Sequence, residues 1–226
     1  KPHQLSAILL THEHSDHVSG LRVLSKKAGA PIYATRPTLR EWYKRNRCDE
    51  VKDLFRPQEA GTGGQSGALG AESFPTPHDA AGSVGWSIAG EGGRVVLCTD
   101  LGHITEPVRR AVAGCNLLVC ETNHDEDWVR TGPYPYYLKQ RILGDYGHLS
   151  NEAGAELAAF AVESGTRAVI LAHLSQTNNT PVRAYEAVSL RLLAMDCDPE
   201  RDISLTVAPA DRLGTVFSLG SQPARL

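Results

Sequence analysis

The segment THEHSDHV (residues 11–18) holds three histidines and an aspartate within six residues, directly after the apolar run SAILL. On an extended segment, two histidines spaced by two point to the same side. A turn into a helix then brings the next aspartate and histidine round from another direction, so one segment can offer ligand pairs to two adjacent ions. Imidazole together with carboxylate suits zinc, manganese or iron. The candidate ligands are His12, His14, Asp16 and His17.

A polar cap at the end of a strand is the alternative interpretation of this segment. Asp16 is a residue type that caps helices, and an isolated histidine is usually structural. Three histidines beside an aspartate after an apolar run favour the metal site. Two adjacent ions can hold a hydroxide between them and stabilise an in-line displacement. The segment therefore predicts a hydrolase with two divalent metals.

Polar residues also follow three other apolar runs. VVLC is followed by TD, LLVC by ETNHD, and AVILA by HLS. Sites in layered α/β proteins collect at such strand ends, in loops that a rigid scaffold holds in place. These runs therefore predict strands whose ends supply further side chains to the metal site.

The pattern His–x–His–x–Asp–His after an apolar strand resembles the signature of the metallo-β-lactamase superfamily. TPHDA, LCTD and LAHLS match its later motifs in the same order. The resemblance implies that His78 joins the first two histidines on one metal, that Asp100 bridges both metals, and that His173 completes the second metal. The implied ligand set is His12, His14, Asp16, His17, His78, Asp100 and His173.

Further segments, among them YPYYLKQRILGDYGHLSNEAGAELA, resemble the YycJ/WalJ group, which is related to ribonuclease Z. This resemblance implies a nuclease of 5′-to-3′ exonuclease polarity that acts on DNA or RNA ends. GHLS maps His148 onto the histidine that serves the phosphodiester. We expect a metal-bridging hydroxide, held also by Asp16, to attack phosphorus. We expect His148 to stabilise the developing charge or to protonate the leaving oxygen.

The remaining polar candidates have two interpretations each. Asp79 is a candidate acceptor for a metal-bound imidazole, and Glu121 a candidate partner of a catalytic histidine. His124 either orients substrate or a ligand, or pairs with the neighbouring aspartate. Four polar residues are candidates for the substrate groove or for ordinary polar turns: Ser150, Ser175, Asn178 and Asn179.

The elements that must position these residues alternate between strand and helix along the chain, which predicts sheets covered by helices. Residues 7–11, 31–35, 94–100, 116–122 and 167–173 read as strands, and residues 17–29 and 150–165 as helices. The Gly-rich residues 59–72 predict a flexible surface loop, and residues 214–219 a closing strand. The resemblance implies a four-layer αββα sandwich, an α/β (α+β) fold, as one domain over residues 1–226. It also implies an N-terminal β-hairpin ahead of the first motif, so we expect such a portion in the natural protein.

Composition limits the class of protein. The 226 residues are 41% hydrophobic and 22% charged, with a net charge of −3, so bulk charge does not indicate a strongly basic nucleic-acid binder. A basic run at residues 35–47 is either a solvated helix face or a phosphate-binding patch. Five irregularly spaced cysteines predict reduced thiols in the cytoplasm. We expect no membrane partner, because no apolar run approaches the roughly 20 residues of a membrane helix.

Two other functions compete with the nuclease. A hydrolase of a small ester, thioester or lactone would use the same metals but needs a closed apolar pocket. A catalytically silent metal-binding scaffold is disfavoured by the full set of ligands. His148 and local positive charge favour phosphate substrates. The sequence indicates neither the oligomeric state nor which metal is bound.

Overall fold

The computed structural model describes residues 1–220 and contains two β-sheets. Three parallel strands form the smaller sheet in the order β1-β2-β3, and seven strands form the larger sheet in the order β10-β9-β8-β7-β6-β5-β4. The strands are β1 (Ile8–Leu9), β2 (Ile32–Thr35), β3 (Phe55–Gln58), β4 (Gly63–Ser66), β5 (Leu69–Pro75), β6 (Val84–Gly90), β7 (Gly93–Cys98), β8 (Leu117–Glu121), β9 (Ala168–Ala172) and β10 (Ser204–Val207).

α-Helices connect the strands of both sheets. They are α1 (Ser15–Val18), α2 (Leu21–Ala28), α3 (Arg36–Asn46), α4 (Glu106–Val112), α5 (Glu126–Thr131), α6 (Tyr136–Leu143), α7 (Asn151–Glu163) and α8 (Pro181–Leu193). Several begin at an N-cap residue, whose side chain accepts a hydrogen bond from the backbone amide three residues further along the chain. Thr35 caps α3, Ser150 caps α7 and Thr180 caps α8 in this way. Within residues 1–220, no helix is long and apolar enough to cross a membrane.

The layers follow from two separate apolar cores. One core lies between the small sheet and helices α2 and α3, around Ile32 and Trp42. The larger core joins the wide sheet to α4, α7 and α8. The two sheets meet where the Trp86 indole donates to the carbonyl of Leu10 (3.2 Å). The order is therefore helix, sheet, sheet, helix, which confirms the predicted four-layer arrangement.

The structure departs from the sequence predictions in three segments. Residues 59–72, predicted to be a loop, include β4 and the start of β5, which pair antiparallel across a turn at Gly67. The predicted helix at residues 17–29 is two helices, α1 and α2. Residues 214–219 do not form a strand. Local patterning fails here because strand pairing is decided by partners elsewhere in the sheet.

The order of strands in the large sheet explains why distant motifs converge. β7, β8 and β9 are parallel neighbours, and Cys98 pairs with Cys120, which pairs with Leu171. Their carboxyl ends therefore lie at one edge. Asp100 follows β7, Glu121 ends β8 and His173 follows β9. The small sheet brings the segment after β1 to the same edge, where the amide of Val84 donates to the carbonyl of Thr11 (3.1 Å).

Candidate metal centre

The segment after β1 divides its side chains between two directions. His12 is fully buried, whereas His14 precedes α1 and is half-buried. The hydroxyl of Thr11 lies 3.2 Å from Nδ1 of both His12 and His17. If each ring donates through Nδ1, its Nε2 is left free to bind a metal. Thr11 therefore positions one histidine of each predicted ligand pair.

The seven predicted ligands lie together, although the sequence spreads them over 162 positions from His12 to His173. In one group, potential ligand atoms of His12, His14 and His78 lie within 4.8 Å of one another. In the second group, those of Asp16, His17 and His173 do the same. These two groups have the composition that the family resemblance implies, and a third group of His12, His17 and Asp100 overlaps both.

Asp100 lies between the two groups. Its Oδ1 is 3.4 Å from Nε2 of His173 and 3.7 Å from Nε2 of His78, and its Oδ2 is 3.4 Å from Nε2 of His17. Asp100 and His173 both have left-handed backbone conformations, with φ of 63° and 60°. Such conformations cost residues other than glycine roughly 1 to 3 kcal/mol and are concentrated at functional sites. The carboxylate is placed to serve both groups.

These residues fit divalent metal ions on their own chemistry. Among residues 1–220, Nε2 of His12 and Oδ2 of Asp100 are buried without a hydrogen-bond partner, and buried polar atoms normally have one. Burial, followed by the nearby His17, lowers the pKa of His12 to about 2, so its ring is neutral. Neutral imidazole and carboxylate are the forms that ligate zinc and similar ions. A cation between the groups would satisfy both unpaired atoms.

Glu121 connects the metal groups to His148. Nδ1 of His148 and Nδ1 of His173 each donate to its Oε1 at 2.8 Å. The backbone amides of Leu101 and Leu149 each donate to its Oε2 at 3.1 Å. Four hydrogen bonds stabilise this fully buried carboxylate. Burial alone would raise its pKa, but the bonds from His148 and His173 outweigh burial and hold the pKa well below the usual range.

Asp79 occupies a different place from the one predicted for it. The acceptor for Nδ1 of His78 is the carbonyl oxygen of Gly147 (3.0 Å). Oδ1 of Asp79 instead lies 3.5 Å from Nε2 of His78, on the side of the ring that faces the other ligands. Asp79 also forms an ion pair with Arg141 of α6. It therefore joins α6 to the edge of the metal groups.

Three of the four substrate-binding candidates are buried within the protein. The hydroxyl of Ser150 caps α7. The side chain of Asn179 exchanges hydrogen bonds with Asn151 and donates to the carbonyl of Thr122. Asn178 is 2% exposed. These three side chains are buried and lie outside the lining of the cleft, so they are not placed to contact substrate. Ser175 alone of the four lines the cleft at the metal groups.

His124 is almost fully buried, and no residue in the described part of the chain forms a hydrogen bond with its Nδ1. Burial lowers the pKa of its ring to about 4. Its backbone carbonyl accepts from the amide of Asn151 (2.8 Å), which joins the end of β8 to the start of α7. His124 therefore lies beneath the site and not at its surface, and its pairing with Asp125 is not observed.

A cleft of about 580 Å³ borders the metal groups. Its lining includes Asp16, His148, His173 and Ser175. It also includes residues that the sequence reasoning did not select as site residues: Asn123, Tyr134, Arg141 and Gln176. The sequence does contain an indication of Tyr134 and Arg141, because they begin and end the segment YPYYLKQR, which combines tyrosines with cations shortly before GHLS.

Comparisons with known proteins agree with this architecture. A family model described as the beta-lactamase superfamily domain matches residues 1–174. The chain is 37% identical over 187 residues to exodeoxyribonuclease YycJ of Bacillus anthracis, covering 82% of this chain and 70% of that one. It is 36% identical over 200 residues to exodeoxyribonuclease WalJ of Streptococcus pneumoniae serotype 2, covering 87% and 73%.

A solved structure shows the same fold. The metallo-beta-lactamase fold protein YhfI from Bacillus subtilis superposes with a TM-score of 0.65 and 16% identity, covering 92% of this chain and 76% of that one. The family resemblance predicted from the spacing of histidines and aspartates is thereby confirmed. Two layered sheets carry a His/Asp cluster at their common edge. Together with the family model and these relatives, this shows that the chain belongs to the beta-lactamase superfamily and has the metallo-β-lactamase fold.

Proposed function

We propose that this protein is a dinuclear metal-dependent phosphodiesterase that cleaves nucleic acid from its ends. The observation that carries the proposal is the position of His148, which shares Glu121 with the predicted ligand His173 and lines the same cleft. The relatives named exodeoxyribonucleases support DNA as the substrate and cleavage from an end, and the resemblance to the YycJ/WalJ group implies the 5′-to-3′ direction.

The chain's own residues divide the work of hydrolysis. When bound, divalent ions neutralise charge on a phosphoryl group and make water more acidic. Asp16 is exposed at the cleft, with Oδ2 3.6 Å from Nε2 of His17, and can accept a hydrogen bond from the attacking water. His148 donates through Nδ1 to Glu121, which leaves its Nε2 for the phosphate or the leaving oxygen.

The lining of the cleft favours a phosphodiester over a small ester, thioester or lactone. Asp16, Asn123, Arg141 and Gln176 place polar and charged groups around the opening, whereas a small apolar substrate needs a mostly apolar pocket. Arg141 can pair with a phosphate, as guanidinium groups do. We keep the small-molecule hydrolase as the second candidate, to be tested on the same protein.

The ligand chemistry supports two ions of zinc or manganese, and iron also fits a mixed set of imidazole and carboxylate. Metal analysis of protein purified without added metal identifies the ion and its ratio to protein. We propose a cytoplasmic location, because all five cysteines are free and buried and reduced thiols are typical of that compartment.

The test compares substrates and variants under one condition. Purified protein with zinc or manganese is given 5′-phosphorylated single-stranded DNA, the same sequence as RNA, and a small lactone. We expect cleavage of nucleic acid, about 10²–10⁴-fold less of it with His148→Ala, and none with His12→Ala. His103→Ala is the matched control, because His103 is exposed and its Nδ1 donates to the carbonyl of Asp145 outside the site.

Two results would count against the proposal. Hydrolysis of the lactone alone would replace the nuclease with the second candidate. Full nuclease activity in His148→Ala would remove that histidine from the reaction while leaving the metal groups in place. Metal content measured in both variants separates a lost catalytic group from a lost ion.

A further inference from the structure

The segment GPYPYYLKQRIL (residues 132–143) contains three tyrosines that metal binding does not use. Its helix α6 borders two grooves. Leu138, Arg141 and Ile142 line the metal cleft, and their spacing of three and four places them on one helical face. A neighbouring face lines a second groove of about 310 Å³ with Tyr136, Lys139, Gln140 and Leu143.

Tyr134 joins the two grooves. It precedes α6 and is the residue common to the linings of both. The surface from the metal cleft therefore continues past Tyr134 into the second groove without leaving the segment. We name this surface, lined by Tyr134, Tyr136, Lys139 and Arg141, the α6 track.

The aromatic rings of the α6 track are available to a partner. The residue Tyr136 is 76% exposed, and Tyr134 is partly exposed between the grooves. Aromatic rings that lie along a basic groove are the feature on which single-stranded nucleic acids stack their bases. Stacking of this kind tolerates any sequence, because every base has a π-face.

Cations line both ends of the α6 track. Arg141 lies at the metal end, where it pairs with Asp79. At the far end, Lys139 donates to the backbone carbonyl of Arg130 (2.7 Å), which is a neutral acceptor and not a carboxylate. Arg130 also lines the second groove and pairs with Glu126 on α5. The track therefore offers phosphate-binding groups on either side of its tyrosines.

We propose that the α6 track binds the single strand that leads away from the cleaved end, with bases stacked on Tyr134 and Tyr136 and phosphates beside Arg141 and Lys139. This rests on the proposed nuclease function and adds how the substrate is held. A single strand is the occupant because its bases are free to stack, whereas the paired bases of a duplex are not.

The test measures how much kcat/KM increases with the length of the substrate. Values of kcat/KM are compared for a 5′-phosphorylated dinucleotide and for a longer single strand, since only the longer one reaches the second groove. We expect Tyr136→Ala to reduce the advantage of the longer strand by about tenfold, equivalent to about 1.4 kcal/mol. Tyr136→Phe should restore most of it, because it keeps the ring.

Tyr137→Ala is the matched control. Tyr137 is the adjacent residue on α6, is 74% exposed, and is not among the residues that line either groove. Its substitution should leave the length advantage as in the unmodified protein. The proposal that the α6 track binds the strand would be refuted if Tyr136→Ala and Tyr137→Ala reduced the length advantage equally, or if Tyr136→Ala did not reduce it.

Failure of the nuclease proposal is distinguishable from failure of the track. Fluorescence anisotropy of a labelled single strand measures Kd for the metal-free protein, independently of cleavage. A Kd weakened about tenfold in Tyr136→Ala supports the track even if no strand is cleaved. If the variant cleaves the strand with an unchanged Kd and an unchanged length advantage, strand binding by the α6 track is refuted. The nuclease proposal is then unaffected.

Discussion

Replacing Glu121 with glutamine is the sharpest test of how the site is held together. The carboxylate is fully buried and accepts four hydrogen bonds, two from imidazole Nδ1 atoms and two from backbone amides. A glutamine keeps one acceptor oxygen, and its NH₂ group must face either the two imidazoles or the two amides. Glu121→Gln therefore loses two hydrogen bonds, and the NH₂ group of the glutamine faces two N–H groups that also donate.

The size of the effect follows from these contacts. Hydrogen bonds to a charged group contribute about 1.5–3 kcal/mol each, so losing two costs about 3–6 kcal/mol in the free energy of unfolding. Disturbing the partner of a metal-bound histidine typically weakens metal affinity by about 10–100-fold. His173 and His148 lose their shared acceptor together, so metal binding and catalysis should fall together.

Two assays measure the outcome. Urea unfolding of metal-free protein gives the free energy of unfolding, and competition with a chromogenic chelator gives metal affinity. Glu126→Gln is the matched control, because Glu126 is exposed and pairs only with Arg130 one helical turn away, and such pairs contribute about 0.3–0.5 kcal/mol. Normal stability and normal metal affinity in Glu121→Gln would refute the role assigned to this carboxylate.

Three further predictions follow from other parts of the structure. Arg141→Gln should raise KM for single-stranded DNA and flatten the dependence of log(kcat/KM) on log[salt] by about 0.7, the effect of one phosphate contact. Gly154→Ala should cost about 1–3 kcal/mol in thermal unfolding, because its Cβ would lie 2.4 Å from the carbonyl oxygen of Glu121, whereas Gly20→Ala meets nothing within 4 Å. In metal-free protein, the lowered pKa of Glu121 stabilises the fold above its ordinary value of 4.5, and this stability is lost as pH falls. Glu121→Gln should therefore lose less stability than the unmodified protein as pH falls below about 4.5.

Each of these has a clear contrary result. An unchanged salt dependence in Arg141→Gln would remove the phosphate contact. Equal unfolding temperatures for the two glycine variants would show that α7 does not pack tightly on the end of β8. Parallel pH profiles with and without the Glu121 carboxylate would show that its hydrogen bonds contribute nothing to the acid sensitivity of the fold.

The sequence predicted much of the fold because its strongest signals are local. The apolar runs at residues 94–100 and 167–173 indicate strands through their own residues, and the helix of residues 150–165 begins at Ser150, whose hydroxyl caps it. It failed at residues 59–72, where glycines indicated a loop and the structure has an antiparallel pair. Pairing there depends on β6, which holds β5 in place, and no local pattern reports that contact.

The sequence by itself determined which residue types the site has, because histidines and aspartates follow apolar strands and parallel strands end at a common edge. Only the tertiary structure decided what each side chain contacts. Glu121 reached both His148 and His173, the carbonyl of Gly147 replaced Asp79 as the acceptor of His78, and Asn178 and Asn179 turned inside. These outcomes depend on how β8, α6 and α7 pack, and packing joins residues whose separation along the chain carries no signal of their contact.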